Sequence, residues 1–367
     1  MEAGVRRFAL DLSSPLATAD GDIGRREGLL VRVADDGTAG LGEATPLAGW
    51  TESFGAARDA LREAADVVER DGPREALALV RGAPAARHGL QVALADLAAR
   101  RADKPLYDHL AGENVSVAAR TAADGWPAIP VNATVGDAPP DETAASARAA
   151  AEAGFDCVKV KVGNRAAAAD TGRLAAVREA VGPDVELRAD ANGAWTRAQA
   201  YEAVRNYPSA AVDVVEQPVQ PSDLGGLSAL RGNGVEVAVD ETVASVGVDP
   251  VLDAGAADVV VLKPTALGGL DRTRAAALAA MERGVDVVVS NTVDAVVART
   301  VAGHLAASLP DVRACGLATA DRFATDLAPD PAPVEHGWMA IPAAPGTGVD
   351  IGTAWAAVED LEVGGDD

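Results

Sequence analysis

From residue 129 onward the chain repeats one unit at a period of about twenty-five residues: a short β-branched run, a polar or glycine-rich turn, then an Ala/Arg/Glu-rich helical stretch ending near glycine. The runs are Ile129–Val135, Cys157–Val162, Val185–Asp190, Val212–Glu216, Val235–Asp240, Asp258–Lys263, Asp286–Ser290 and Val312–Leu317. Each is too apolar to keep one face in water. Eight such strands alternating with helices predict a parallel sheet closed on itself, a (β/α) barrel over residues 126–324.

Residues 1–125 follow a different pattern. Val5–Leu12, Gly28–Val33 and Thr38–Ala44 read as antiparallel strands, with Asp35-Asp36-Gly37 as a hairpin turn. Helical patterns follow at 52–70, 73–81 and 87–101. This predicts a separate α+β capping domain. The Pro- and Gly-rich tail, 325–367, lacks the repeat and is expected to return to that cap.

In a barrel of this kind the strand C-terminal ends and the loops after them share one mouth, where chemistry gathers. Reading strand ends in order brings Lys159, Lys161, Asp190, Glu216, Asp240, Lys263 and Ser290 to that mouth. Three carboxylates on three consecutive strands would repel one another in a half-buried site unless a cation lay between them. Oxygen ligands without His or Cys suit a hard ion, Mg2+ with Mn2+ as the alternative, leaving coordination positions for water and substrate oxygens. A lone acid at a strand end is ordinarily a solvated surface group, but three in phase with neighbouring lysines are not explained that way.

Those lysines stand out because the chain has only four, against 28 arginines among its 32 basic residues. Arginine keeps its proton in essentially any site, whereas a desolvated or crowded lysine can release it. Lys159, Lys161 and Lys263 therefore read as proton-transfer groups. In Lys159-Val-Lys161 the alternation aims both side chains into the barrel. There the two ammonium groups and a nearby metal would depress one another's pKa toward a neutral amine. Lys263, four strands further round, is expected to face the pair across the site. Lys104, before Pro105 at a helix end, reads as structural, and His88, His109, His304 and His336 lie outside the strand ends with no catalytic role expected.

A net charge of −23 argues against nucleic acid and anionic membranes as partners, because both would repel the chain. The expected partner is a small molecule whose oxygens complete the metal's coordination, with a homo-oligomer left open. Interspersed acids with depleted lysine resemble the cytosolic proteins of salt-loving microbes, which makes a halophilic host the expectation; a GC-rich genome is the plainer source of the same bias. Cys157 and Cys315 have neither zinc-ligand nor Cys-x-x-Cys spacing and read as core residues in a reducing compartment. No signal-type apolar segment and no run near the ~20 residues of a spanning helix is present, so a cytoplasmic location is expected.

Together these residues resemble the enolase superfamily: a capping α+β domain, a barrel, a Lys-x-Lys on strand two, Asp/Glu/Asp on strands three to five and a lysine on strand six. The Lys-x-Lys with Lys263 is similar to the muconate-lactonizing subgroup, since mandelate racemase-like relatives carry a His on strand seven where this chain has Ser290-Asn291-Thr292. The segment Gly40-Leu-Gly-Glu43-Ala-Thr-Pro46-Leu-Ala-Gly49-Trp-Thr-Glu52-Ser53 resembles Gly-Glu-x-x-Pro-Leu-Pro-Gly-Phe-Ser-x-Glu-Thr of the o-succinylbenzoate synthases. Leu187-Arg-Ala-Asp190-Ala-Asn192-Gly-Ala-Trp195-Thr196 resembles their Arg-x-Asp-Ala-Asn-Arg-Ala-Trp, with Gly193 in place of arginine and, in the first segment, Ala48 in place of proline. The resemblance covers nearly the whole chain.

The resemblance implies a lyase. Mg2+ on Asp190, Glu216 and Asp240 would bind the substrate carboxylate, and loss of the adjacent proton would give an enediolate. It implies Lys161 as the general base, which then protonates the departing hydroxyl in a syn-dehydration of 2-succinyl-6-hydroxy-2,4-cyclohexadiene-1-carboxylate to 2-succinylbenzoate for menaquinone biosynthesis. Lys263 would stay cationic on the far face, and Lys159 would tune Lys161 and touch the carboxylate. Asn192 and Glu241 would support the ligands, and Ser290 and Asn291 would hydrogen-bond the carboxylate or succinyl tail. The loop Thr18–Arg26 and the segment Leu47–Ser53, turned at Gly49, are expected to close over the mouth, with Arg25 or Arg26 meeting a succinyl carboxylate.

Other chemistries share the scaffold. An N-acylamino acid racemase or dipeptide epimerase would use Lys161 and Lys263 as opposed acid/bases, and a muconate cycloisomerase is a further alternative. Dipeptide epimerases usually carry Asp-x-Asp at the end of strand eight, where Leu317-Ala-Thr-Ala-Asp321 has one acid. A Schiff-base aldolase would not need three in-phase carboxylates, nor would a binding protein need every catalytic position filled.

Overall fold

Three antiparallel strands open the chain, β1 (Glu2–Thr18), β2 (Gly21–Asp35) and β3 (Thr38–Ala44). The β2–β3 turn places Asp36 at φ 48 and Gly37 at φ 77, the left-handed pair that an Asp-Gly hairpin requires. The computed structural model describes residues 1–18, 21–112, 120–121 and 127–360.

The first two strands run further than the sequence suggests. The expected loop Thr18–Arg26 is strand from Gly21 onward, with Arg26 opposite Leu10; its residues 19–20 lie outside those described. The ribbon continues because pairing resumes beyond a register shift between Asp11 and Leu16, which keeps backbone groups bonded where the side chains are too polar to signal a buried strand.

Helices follow at Phe54–Arg70, where the Ser53 hydroxyl accepts from the Ala56 N–H, at Pro73–Leu79, and at Pro84–Arg101. The third begins earlier than expected because Pro84 suits a first helical turn. It lies directly on β3, and a Cβ on Gly42 would fall onto the Gly89 carbonyl, so the close approach requires glycine there.

After β4 (Arg120–Thr121) and β5 (Pro127–Pro130) come seven parallel strands: β6 (Ala133–Val135), β7 (Cys157–Lys161), β8 (Glu186–Asp190), β9 (Val214–Glu216), β10 (Glu236–Val239), β11 (Val259–Leu262) and β12 (Asp286–Val289). Each pairs with its sequence neighbour. Two of the eight expected strands differ. Ile129–Val135 is not one strand: β5 belongs to another sheet, and the chain changes sheets at Val131 and Asn132, whose N–H groups go to Gly337 and Cys315. Pro130 has no N–H with which to continue a ladder. Among the described residues Val312–Leu317 forms two parallel bridges, Val131 with Cys315 and Ser290 with Gly316, and these close the barrel.

The last strands, β13 (Val334–Glu335), β14 (Trp338–Ala340) and β15 (Glu359–Asp360), divide between two places. β13 and β14 join β5 and β4 in one sheet, while β15 pairs with β1. Residues 361–367 and the expected domain boundary after 125 lie outside the described residues.

Alternation along the barrel strands sorts the side chains. Val158, Val160, Leu187, Val215, Val237, Val239, Val260, Leu262 and Val289 belong to the main core, whereas Val214, Ala238, Val259, Val261 and Val288 form a separate buried cluster. Period-two geometry puts Lys159, Lys161, Asp190, Glu216, Asp240, Lys263 and Ser290 in phase with the second set, which faces the barrel interior. Cys157 and Cys315 are buried and free, and burial pushes both thiols up to about 12.

Candidate active site

Strand register brings the polar strand ends together. Lys161 stands opposite Asp190, and Asp190 opposite Glu216, while Asp240 and Lys263 immediately follow β10 and β11. Lys159 Nζ bridges Glu216 Oε1 at 2.8 Å and Asp190 Oδ2 at 3.0 Å. Lys161 Nζ donates to Asp190 Oδ2 at 2.7 Å and Asn192 Oδ1 at 2.8 Å. Lys263 Nζ donates to Asp240 Oδ2. Asn192 donates its backbone N–H to Asp190 Oδ1 at 3.1 Å and its side-chain amide to Glu241 Oε1 at 2.9 Å. Of the residues expected at the site, Lys159, Lys161, Asp190, Glu216, Asn192 and Glu241 thus form one bonded group, and Lys263 and Asp240 form a separate pair beside it.

Burial alone would raise the Asp190 carboxyl, but Lys159 and Lys161 hold it well below the usual carboxylate range. Glu216 is raised, first by burial and then by the charge of Asp190. Asp240 is raised by burial, with Glu241 adding to the effect and Lys263 opposing it. Burial works to lower Lys159, yet the charges of Asp190, Glu216 and Asp240 outweigh it and raise the group. For Lys159 the two carboxylates bonded to it dominate the balance of charge.

Among the described residues no group of three or more His, Cys, Asp and Glu side chains forms a ready ion cage. Ammonium groups sit on the carboxylate oxygens instead. Two buried oxygens, Asp240 Oδ1 and Glu241 Oε2, nonetheless have no hydrogen-bond partner among the described residues. Orphaned carboxylate oxygens are costly, and an all-oxygen donor set on consecutive strand ends suits a hard divalent ion. Asp190, Glu216 and Asp240 fit Mg2+ on these grounds.

The remaining expected residues are placed differently. Ser290 donates to the Gly316 carbonyl at 3.2 Å and joins strand seven to the eighth run, while Asn291, just beyond it, donates to Thr319 Oγ1 at 2.8 Å and accepts from the Val293 N–H at 3.0 Å. Gly49, at φ 83, turns the segment that carries Trp50. Arg26 is not brought to the lysine cluster: it is 3% exposed and donates to the carbonyls of Thr45, Pro46 and Val293. Arg25 pairs with Asp11 on the exposed ribbon at 3.4 Å.

Sequence reasoning gave no role to three residues that shape the site. Buried Gln217 accepts from the Asp240 and Thr242 N–H groups at 3.0 and 3.1 Å and donates to the Val219 carbonyl at 2.8 Å, which fixes the strand ends carrying Glu216 and Asp240. Its φ of 40 and that of Asn192, 44, put two non-glycine residues in the left-handed region next to carboxylates of the site. Trp50, on the cap, lays its ring over Lys263 Nζ, 3.5 Å from the centroid. Glu43, on β3, reaches the start of the helix Val296–Ala307. No sequence spacing signals the contacts that join Gln217 to Asp240, Trp50 to Lys263 and Glu43 to Ala295, all between distant segments.

The chain matches the family model "Enolase C-terminal domain-like" over residues 142–355 and "MenC, N-terminal domain" over residues 1–97. An o-succinylbenzoate synthase of Thermobifida fusca is 41% identical over 228 residues, 59% of this chain and 69% of that protein. Another, of an Enterobacter species, is 30% identical over 89% of this chain and 92% of that protein. An L-Ala-D/L-Glu epimerase of Bacillus subtilis is 28% identical over 95% of each chain. The substrate-liganded structure of a Bacillus subtilis L-Ala-D/L-Glu epimerase superposes with a TM-score of 0.84 at 28% identity, covering 95% of this chain and 98% of that one. The Enterococcus faecalis dipeptide epimerase, complexed with Mg and a dipeptide, gives 0.85 at 25% identity, again covering 95% and 98%.

Proposed function

Because the chain belongs to the enolase superfamily, and is an enzyme of its o-succinylbenzoate synthase-like kind, we propose that it dehydrates 2-succinyl-6-hydroxy-2,4-cyclohexadiene-1-carboxylate to 2-succinylbenzoate, a step of menaquinone biosynthesis. The observation that carries this reading is the set of three lysines and three carboxylates on consecutive strand ends, with Lys159 bonded to Asp190 and Glu216, Lys161 to Asp190, and Lys263 paired with Asp240.

Asp190, Glu216 and Asp240 would hold Mg2+, which when bound supplies positive charge for the substrate carboxylate. Lys161 takes the proton from the ring carbon bearing that carboxylate; the C–H electron pair is delocalised toward the carboxylate. The same Lys161 returns the proton to the neighbouring hydroxyl, the C–O bond breaks, water leaves, and the ring becomes aromatic. Asn192, accepting from Lys161 and donating to Glu241, orients that amine. Lys263 faces the reacting centre from the other side, between two partners, Asp240 and Trp50, that both attract positive charge.

A second reading, proton transfer at the α-carbon of a dipeptide or N-acylamino acid, is favoured by the epimerase that matches 95% of the chain. It would need Lys161 and Lys263 to exchange roles as base and acid. The single acid Asp321 after the eighth run supports the dehydration instead.

The two readings separate in one assay. Purified protein with Mg2+ is given the cyclohexadiene carboxylate and, in parallel, N-succinylamino acids and dipeptides in D2O. Formation of aromatic product is expected; α-deuterium incorporation without dehydration would replace the proposal with the second reading.

A further inference from the structure

We propose that Trp50 is the positioning residue for Lys263, and that it keeps the ammonium in place when Asp240 is drawn to a metal ion. The inference rests on Asp240 being a metal ligand, as proposed above, and it deepens that reading.

The Lys263 side chain is 10% exposed, and among the described residues its Nζ has two partners: the Asp240 carboxylate and, 3.5 Å from the ring centroid, the Trp50 indole. The two partners are not equivalent. Asp240 is a carboxylate for which a divalent cation competes, and its second oxygen is buried without a partner. The indole is neutral and offers a metal nothing. As Asp240 turns toward an ion, its hold on Lys263 weakens, while the π face remains.

The indole is presented by a turn fixed on both sides. Within it the Leu47 carbonyl accepts from the Trp50 and Thr51 N–H groups, each at 3.0 Å, and Thr51 Oγ1 accepts from the Leu47 N–H at 2.9 Å. Upstream, Arg26 holds the carbonyls of Thr45 and Pro46, each at 3.0 Å. Downstream, the Glu52 carboxylate accepts from the Ala85 and Ala86 N–H groups at 3.1 and 2.8 Å, tying the turn to the start of the helix Pro84–Arg101. Such a turn delivers the ring to one place. The buried role of Arg26 follows: it sets the turn from which the cap reaches a barrel lysine.

Removing the π face while keeping apolar bulk should return Lys263 to Asp240 and make it compete with the ion. The test compares wild type with Trp50→Phe, Trp50→Leu and Trp50→Met by calorimetric titration of Mg2+ alone, and then by steady-state kinetics. Trp50→Leu and Trp50→Met are expected to weaken Mg2+ binding about tenfold and to lower kcat about tenfold or more with little change in KM, while Trp50→Phe stays within about threefold of wild type in both. Leu and Met variants that bind Mg2+ like the Phe variant, or whose loss lies in KM alone, would overturn the proposal, since an apolar lid predicts that pattern. The Mg2+ titration needs no substrate, so absence of dehydration in wild type would count against the proposed function and leave this test standing.

Discussion

The carboxylate of Glu43, on a cap strand, accepts the backbone N–H of Ala295 at 2.8 Å and that of Ala298 at 2.9 Å, so the cap region supplies the N-terminal cap of a barrel helix. A helix start favours an anion, yet this one is fully buried, and Asp294 lies close by. Burial first, and then the charge of Asp294, push the Glu43 carboxyl up to about 7.

The first prediction concerns that carboxyl. Its folded-state pKa lies above the unfolded value of 4.5, so the stability it contributes is complete below about pH 4.5 and is lost as pH rises through 7. Glu43→Gln keeps the shape without the titration. Thermal unfolding between pH 5 and 7.5 should show a smaller decline for the variant than for wild type, with a cost of about 1 kcal/mol at the acid end from the weaker cap.

Buried histidines act in the opposite direction. Burial lowers His88 and His304 to about 4, below the unfolded value of 6.5, so their contribution is complete above pH 6.5 and is lost as pH falls toward 4. His304 is held neutral between the Tyr107 N–H at 3.2 Å and the Thr347 carbonyl at 3.1 Å, whereas neither ring nitrogen of His88 has a partner among the described residues. His88→Leu should therefore stabilise the protein at pH 5 by roughly 1–3 kcal/mol, read from denaturant midpoints. A loss of stability at that pH would show that the ring makes a bond the present contacts omit.

Lys161→Arg keeps a cation beside Asp190 and Asn192 but removes a group that can give up its proton. Dehydration should fall about 10^3-fold in kcat, with Mg2+ binding retained in calorimetry. Activity close to wild type would exclude Lys161 as the base.

Mg2+ should raise the unfolding midpoint of the wild-type protein, by an amount equivalent to about 2.7 kcal/mol at a hundredfold excess over Kd. Asp240→Asn, which removes one of the three strand-end carboxylates, should abolish most of that shift. An equal shift in both proteins would place the ion elsewhere.

Gly316 tests the barrel seam. A Cβ there would stand 2.6 Å from Ser290 Oγ, in the bridge that joins strand seven to the eighth run. Gly316→Ala is expected to cost about 1–3 kcal/mol in urea denaturation, because the added methyl group would displace the Ser290 hydroxyl from the Gly316 carbonyl and press on the Ser290 Cβ, 3.2 Å away.

The strand ends were legible because two periodicities coincide. The repeat sets where each strand stops, and alternation sets which side chains face inward, so Lys159, Lys161, Asp190, Glu216, Asp240 and Lys263 could be named without coordinates. What escaped depends on contacts between distant segments. Trp50 meets Lys263, and Glu43 meets Ala295, through docking of the cap on the barrel, which leaves no trace in local spacing. Arg26 looked like a loop cation available to substrate; the strand it occupies buries it against three carbonyls. The eighth run has the composition of a strand, yet only two bridges form there among the described residues, one of them at a glycine pressed against Ser290.

The pairing of β15 with β1 also bears on synthesis. Arg6 stands opposite Asp360 and Arg7 opposite Glu359, so this stretch of the first sheet's outer edge receives its partner only after the barrel strands have been made. A nascent chain emerging from the ribosome therefore exposes one flank of β1 for most of its translation. Unpaired strand edges invite association with other chains. Polysomes translating this message should thus be most prone to aggregation, and most dependent on chaperones, before residue 359 emerges.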